Sequence, residues 1–553
     1  MAGQSVGTKI LMVVVGVVGS ALVAAAVLFG MQGFESLLQR ARQRAVPTEK
    51  KPEVVAKERV DRTHTVVVVA PAPPPTALPL KERPGADAFG YPKTYVDVAG
   101  LRSLLYYARY QELSKYLEEI QSAFEADNKK EMWTVQMADA FSSAEPELLP
   151  KLEAWARATP DSFAPFLALG SHLSARAHAE RGTQFAKETP VQDFVLMRDT
   201  AKLALQHLGT ALLKRPKLMA AQREQISVGL ITSQHAVMDS ALAAALRTCP
   251  TCYAVRVVYL YSLQPRWGGS FPEMMSFAAK APRSANPKLK LLIGYVDAEH
   301  AKLAREAENW DAALEHINKA CALADHADFL EDRAEVWMAK KDLARAQQDL
   351  DLAIELRPEL TSPRVTRAEL YVRKREWENV AHDILNVMRI DPTAHNARWA
   401  AGQAAYWLDH DGWEAHQRGD RDRAIKLLEL ASELVPTNGG VLNRMATAVR
   451  GNVTGTPAEL AALEAKVKSA PDDFRAYQQL DYALALKRQF PRVIELWSEY
   501  LGRHPEDGRA YDERSGAYYN SGRRAEALAD AEQACRLGIN RACAYAQLAA
   551  QHK

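Results

Sequence analysis

Residues 346–392 read AQQDLDLAIELRPELTSPRVTRAELYVRKREWENVAHDILNVMRIDP, and this stretch decides the fold. Ala346, Leu350, Ala353 and Pro358 return at a constant offset as Val380, Ile384, Val387 and Pro392. Steps of four and three place the first three side chains of each set on one helix face. Small residues in that ladder let a second helix approach closely, and the large one fills the hollow between units. The proline ends the helix, because it lacks an N–H and disfavours helix at the residue before it. A helix pair of this size cannot bury its apolar face alone, so such units have to stack.

The ladder recurs on both sides of this stretch. It appears downstream as Ala424, Leu428, Ala431 and Pro436, and then as Val493, Trp497, Tyr500 and Pro505. A last unit has Ala527, Ala531 and Ala534, with Ile539 in the place of proline, and an earlier one has Ala313, Ile317 and Ala320. The pattern degenerates over 455–470, and about ten residues are inserted within 397–423. On these residues the segment 291–553 resembles the tetratricopeptide repeats, with six or seven units. The resemblance implies an all-α solenoid of helix hairpins with an inner groove that takes a protein or peptide.

A second regularity runs through the same units. Arg333, Arg367 and Arg514 precede Asp349, Asp383 and Asp530 respectively, always by the same spacing. That spacing puts one member on each helix of a hairpin and predicts an ion pair between them. In the unit at 474–505 the two places hold Leu480 and Leu496. Losing both charges together avoids stranding one of them partly buried, so an apolar contact is expected there.

Residues 93–290 keep traces of the ladder without the clean period. Leu148, Leu152, Trp155 and Pro160 form one set, and Ala204, Leu208, Ala211 and Pro216 another. Met238, Leu242, Ala245 and Pro250 follow the second set by one full period. Irregular helical hairpins continuous with the solenoid are expected. The segments FAPFLALGSHLSARAHAERG (163–182) and YLYSLQPRWGGSFPEMMSF (259–277) resemble a bacterial family of unknown function, over roughly 95–285. Arg181-Gly182 and the string Pro265-Arg266-Trp267-Gly268-Gly269 carry that resemblance, and it implies no activity. The string reads most simply as a loop whose tryptophan plugs an apolar gap. The sharper reading makes Arg266 and Trp267 a contact for a peptide or an anionic group.

The N-terminal part has a different character. After a short tail, 1–9, residues 10–34 contain no charged side chain, which is enough apolar chain for one transmembrane helix. This stretch runs past the length of a usual signal-peptide apolar region, so an uncleaved anchor is expected. One basic residue before it, Lys9, against Arg40, Arg42, Arg44, Lys50 and Lys51 after it, favours a cytoplasmic rather than periplasmic folded part. Gly16 and Ser20 could pack two spans together, but that spacing arises readily in so Gly- and Ala-rich a segment. Residues 35–92 read as a charged, then proline-rich, extended linker, with Pro71, Pro73, Pro74 and Pro75 excluding helix.

Composition sets outer limits. In 553 residues, Lys+Arg 70 against Asp+Glu 68 leaves a net charge of +2, so a strongly basic nucleic-acid binder is not expected. Five cysteines are too few and odd in number for a disulfide framework. Cys249-Pro250-Thr251-Cys252 has the spacing of a redox motif, but no strand precedes it and Pro250 sits where a repeat helix ends. A plain linker is the favoured reading, with a disulfide as the alternative in an oxidising location. No phosphate loop, H-E-x-x-H or G-x-S-x-G is present. Asp409, His410, Asp411, Glu414 and His416 are the densest set of possible metal ligands and read as a solvated helix extension. His300 and His316 fall in the Arg and Asp places of their unit and are expected to meet. No catalytic residue, cofactor or metal is expected.

For a partner, Asp328, Glu331 and Glu335, with Asp332 between them, make one inner helix acidic, while Tyr482, Arg509 and Tyr519 offer aromatic and basic groups later on. These point to a protein or peptide with basic and apolar residues. The expected role is a membrane-anchored interaction scaffold. The alternatives are an enzyme or redox factor centred on 93–290, or a permanent subunit of an envelope or secretion assembly.

Overall fold

The computed structural model describes residues 77–182, 189–391, 397–436, 438–451 and 453–551. The tail, the apolar stretch 10–34 and most of the linker lie outside the described residues. Among those described, no helix is long and apolar enough to cross a membrane.

The linker ends earlier than its composition suggests. Residues 77–92 belong to the fold: strand β1 (Leu80–Lys81) pairs antiparallel with β2 (Tyr95–Val96), Leu80 facing Val96. Prolines and glycines in this stretch make turns, and Phe89 and Tyr91 supply the burial. Tyr91 is buried, and its hydroxyl donates to Glu131 Oε1 at 2.8 Å.

Ten helices follow in the irregular half. They are α1 (Val98–Tyr106), α2 (Tyr110–Ala126), α3 (Glu131–Asp139), α4 (Leu148–Ala158) and α5 (Ala164–Arg181). After them come α6 (Val191–Lys214), α7 (Met219–Ile231), α8 (His235–Thr248), α9 (Ala254–Ser262) and α10 (Phe271–Ala279). The repeat half starts with the hairpins α11 (Leu291–Glu306) with α12 (Trp310–Cys321), and α13 (Ala327–Ala339) with α14 (Leu343–Leu356). Next are α15 (Ser362–Lys374) with α16 (Trp377–Ile390), and α17 (Ala397–Gln417) with α18 (Arg421–Leu434). Then come α19 (Gly439–Arg450) with α20 (Pro457–Ser469), and α21 (Phe474–Leu486) with α22 (Phe490–Arg503). The pair α23 (Gly508–Asn520) and α24 (Arg524–Arg536) precedes a closing helix, α25 (Asn540–Gln551).

One turn joins the helices of most hairpins. A residue in the left-handed region is followed by one whose N–H donates to the carbonyl five residues back, as in a Schellman cap. It occurs at Glu308-Asn309, Lys341-Asp342, Arg375-Glu376, Gly419-Asp420, Arg488-Gln489 and Gly522-Arg523. The same turn also stands in the irregular half, at Ala108-Arg109 and Ser233-Gln234. Asn309, Asp342 and Asp420 then cap the next helix with their side chains. The first three side chains of every ladder set read from the sequence are buried, with Leu242 alone only partly so.

A solenoid is ordinarily held by contacts between neighbouring units. This one is also braced across long sequence distances. Arg102 Nη1 donates to the Ile390 carbonyl, Arg83 Nη1 to the Glu355 carbonyl, and Gln136 Nε2 to Glu359 Oε1, each at 2.8 Å. At the other end α25 returns to α18, where the Asn540 N–H donates to Glu433 Oε2 at 2.5 Å. Arg541 lies between Glu433 and Asp512, bonded to Asp512 at 2.6 Å.

Candidate partner-binding surfaces

The charged pairs of the repeats are occupied internally. Arg333, Arg367 and Arg514 each grip an aspartate through Nε and Nη2, Asp349 at 2.8 and 2.7 Å, Asp383 at 2.8 and 2.6 Å, and Asp530 at 2.6 and 2.9 Å. The remaining nitrogen, Nη1, turns back to the preceding unit, on Asn318, Asp351 and Ser498 respectively. Each arginine thus ties its own hairpin and the one before it. Leu480 and Leu496 lie together in an apolar cluster with Trp497 and Tyr477.

The acidic face of α13 is likewise engaged. Tyr295 Oη donates to Asp328 at 2.7 Å, and Glu331 accepts from Ser362 Oγ at 2.5 Å and Thr366 Oγ1 at 2.9 Å. Arg305 pairs with Glu335 and, at 3.3 Å, with Asp332. Burial pushes the Asp332 carboxyl up to about 7. These groups serve helix packing first, which a one-dimensional reading of charge cannot show.

Tyr482, Arg509 and Tyr519 have three different surroundings. Tyr482 packs against the cluster of Ala415, Leu428 and Val449. Arg509 pairs with Asp507 at 2.7 Å and lies 4.2 Å over the Phe474 ring. Tyr519 is exposed and meets the Tyr545 ring edge-on at 5.7 Å.

In the Pro-Arg-Trp-Gly-Gly string, Pro265–Trp267 form one 3₁₀ turn, and Gly268 at φ 92° reverses the chain. A Cβ on Gly269 would stand 2.2 Å from the Leu263 carbonyl oxygen, so only glycine fits. Trp267 packs against the cluster of Leu173, Met197 and Val228, and Arg266 lies exposed, 5.3 Å over its ring. The loop geometry and the plugged gap account for most of the string.

The insertion extends α17 to 21 residues. Asp409 pairs with Arg444, while His410 lies 3.2 Å from Asp411 and 3.7 Å from Glu414. Among the described residues no group of three or more side chains could hold a metal ion. The same helix carries a feature that the sequence reading passed over. Trp399 is 58% exposed and Tyr406 63% exposed, a heptad step apart on one face. Gly402 lies between them with open space where a side chain would be. Behind them Trp407 stacks on Trp377 at 5.7 Å. A heptad step between aromatic residues signals such a stripe, but ladder positions look the same until burial is known.

The cysteines correct the linker reading. Cys249–Cys252 and Cys535–Cys543 are disulfides, and Cys321 is the free cysteine. Proximity in the chain hid this, because the 249–252 turn doubles as a helix cap. Arg256 donates to the carbonyls of Cys252 at 2.6 Å and Pro250 at 2.7 Å. The following N–H groups, of Tyr253 and Ala254, both donate at 2.9 Å to Glu131 Oε2. Glu131 is wholly buried; burial pushes its carboxyl up, and these donors and Tyr91 hold it back down. Asn286 Nδ2 completes the knot on Tyr91 Oη at 2.7 Å. Elsewhere His300 and His316 stack at 4.9 Å beside Phe271, and burial lowers the His300 imidazole.

Comparisons with known proteins give the following likenesses. Residues 97–236 match the model of a domain of unknown function, DUF4034. No curated protein matches the chain. Among solved structures, the tetratricopeptide domain of P58(IPK) is 15% identical, covering 79% of this chain and 98% of its own, with a TM-score of 0.21. YrrB, described as a tetratricopeptide protein with an unusual peptide-binding site, is 19% identical over 37% of this chain and 98% of its own, with a TM-score of 0.18. A tetratricopeptide protein from Parabacteroides merdae is 12% identical over 60% and 98%, with a TM-score of 0.19. The assignment of repeats rests on the buried ladder and the recurring turn. The chain thus resembles DUF4034 over 97–236, and its helix hairpins resemble those of the tetratricopeptide-repeat proteins.

Proposed function

We propose that this protein is a membrane-tethered interaction scaffold that binds a protein or peptide partner through its solenoid and makes or breaks no bond. The exposed Trp399–Gly402–Tyr406 face of α17 carries this reading. Tryptophan and tyrosine are enriched among the few residues that carry most of the binding energy at interfaces, and an open glycine between them leaves a notch for a partner side chain. The acidic helix α13 fits less well, since its carboxylates already have donors. The test is affinity capture of the full-length protein from gently solubilised membranes beside a Trp399→Ala/Tyr406→Ala variant. Proteins lost only in the variant are the expected result; identical capture places the partner elsewhere.

The tether is residues 10–34. The two disulfides support a folded part in an oxidising compartment, on the side opposite to the one that the flanking charges favour. A cysteine placed at exposed Ser284 distinguishes the sides. Labelling of Ser284→Cys by an impermeant thiol reagent in outer-permeabilised cells is expected; protection until lysis would return the fold to the cytoplasm.

A further inference from the structure

We infer a binding site for a small organic anion in a cleft of about 550 Å³, separate from the α17 face. Three parts of the chain build it: the segment 83–93, the loops at 253 and 288–290, and the edge of the repeats at 323–327 and 355–357. The volume lies within the range of small-molecule sites.

Charge gives the sign of the ligand. Arg83, Lys93, Lys288, Lys290 and Arg357 line the cleft against Asp87, Asp325 and Glu355. Two of these cations are spent: Lys288 holds Asp87 at 3.2 Å, and Arg357 pairs with Glu359. Among the described residues no carboxylate stands within ion-pair distance of Arg83, Lys93 or Lys290. Arg83 spends one nitrogen on the Glu355 carbonyl, and Lys290 rests 5.4 Å over the Phe89 ring. Arg83, Lys93 and Lys290 thus line one cleft without a carboxylate partner, which an anion would supply.

The rest of the lining describes the ligand's body. Phe89, Tyr253, Leu323 and Leu356 give the cleft aromatic and aliphatic walls. His326 also lines it; its Nε2 meets Tyr253 Oη at 3.2 Å, while the buried Nδ1 has no hydrogen-bond partner. The geometry therefore fits a carboxylate or phosphate carried on a small apolar or aromatic body. A bound anion would bridge the segment that leads out of the linker to the edge of the repeats.

Phenyl phosphate is the probe, titrated calorimetrically into the full-length protein, with benzyl alcohol as the neutral control. Saturable one-to-one binding is expected, absent for the alcohol and about tenfold weaker in Lys93→Gln/Lys290→Gln. Lys93 is exposed, so Lys93→Gln alone tests the charge without risk to folding and is expected to weaken binding in the same direction. No saturation up to about 10 mM, a concentration far above useful affinity, or equal affinity in both variants, overturns the site. Inorganic phosphate binding as tightly as phenyl phosphate overturns the apolar half of the assignment. Partner capture through Trp399 is independent of every one of these outcomes.

Discussion

The two halves of this molecule use one hairpin in two ways. In 291–553 the stabilising charges repeat with the period, each arginine gripping an aspartate on the second helix of its hairpin and a neighbour behind. In 93–290 the same Schellman turns and the same buried ladder are present, but the helices range from 9 to 24 residues. There the fixing group is a singular knot around Glu131, which gathers Tyr91, Tyr253, Ala254 and, through Tyr91, Asn286. Periodic units can share one solution; unequal hairpins need a solution of their own.

The largest expected effect tests the knot. Glu131→Ala removes the acceptor of three donors, and a loss of about 3–5 kcal/mol is expected in denaturant unfolding. A loss below about 1 kcal/mol, the scale of one ordinary hydrogen bond, would break the contrast between halves. In the repeats, Arg367→Leu strands Asp383, whose side chain is only 5% exposed, and about 3 kcal/mol should go. The double variant Arg367→Leu/Asp383→Leu, copying the leucines of the 474–505 unit, should recover most of that. A double variant no better than the single one would mean that the pairs are more than interchangeable fasteners.

Acidification sharpens the comparison. Burial lowers the His172 imidazole to about 4, so its contribution is present above about 6.5 and lost as pH falls toward 4. In the repeats burial pushes Asp332 and Glu433 up to about 7 and Asp481 to about 8. Their contributions run the other way, present near pH 4 and lost as pH rises through 7 to 8. Within 93–290 the buried Glu131 and Glu224 carboxyls, also pushed up, run against His172. The variant His172→Asn isolates its part: limited proteolysis at pH 5 against pH 8 should cut 93–290 less at pH 5 in His172→Asn than in the parent. His326, also lowered to about 4, works against the repeats at their junction with the first half. Equal cleavage of 93–290 in variant and parent would remove the part assigned to His172.

The smallest effect concerns the turns. Arg375 and Lys341 adopt the left-handed conformation that Gly419 and Gly522 fill elsewhere. Arg375→Gly should stabilise by about 0.5–1 kcal/mol, as should Ser233→Gly in the irregular half. A gain in one half only would show that the turns differ more than their hydrogen bonds suggest.

Much of this was legible because it repeats. The ladder, the hairpins and the Arg–Asp spacing all follow from helix geometry, and a constant offset reveals them without any three-dimensional knowledge. The folded end of the linker was not, because Pro84, Gly85 and Gly90 look like spacer until Tyr91 is seen beneath Glu131. Nor were the disulfides, since a C-x-x-C spacing is compatible with either state. Charges on α13 read as a surface, yet Tyr295, Ser362, Thr366 and Arg305 all reach them from other helices. Contacts between residues far apart in the chain leave no periodic trace.

The braces from Arg83, Arg102 and Gln136 to the region 355–390 have a consequence for how such a chain can change over generations. An ordinary repeat array lengthens or shortens by whole units, each insertion disturbing only its two flanks. Here a duplicated or deleted unit between residues 140 and 355 would carry the carbonyls of Glu355 and Ile390 away from their donors. The number of units in that interval is therefore fixed by three side chains outside it, and the return of α25 to Glu433 fixes the number between α18 and α25 in the same way.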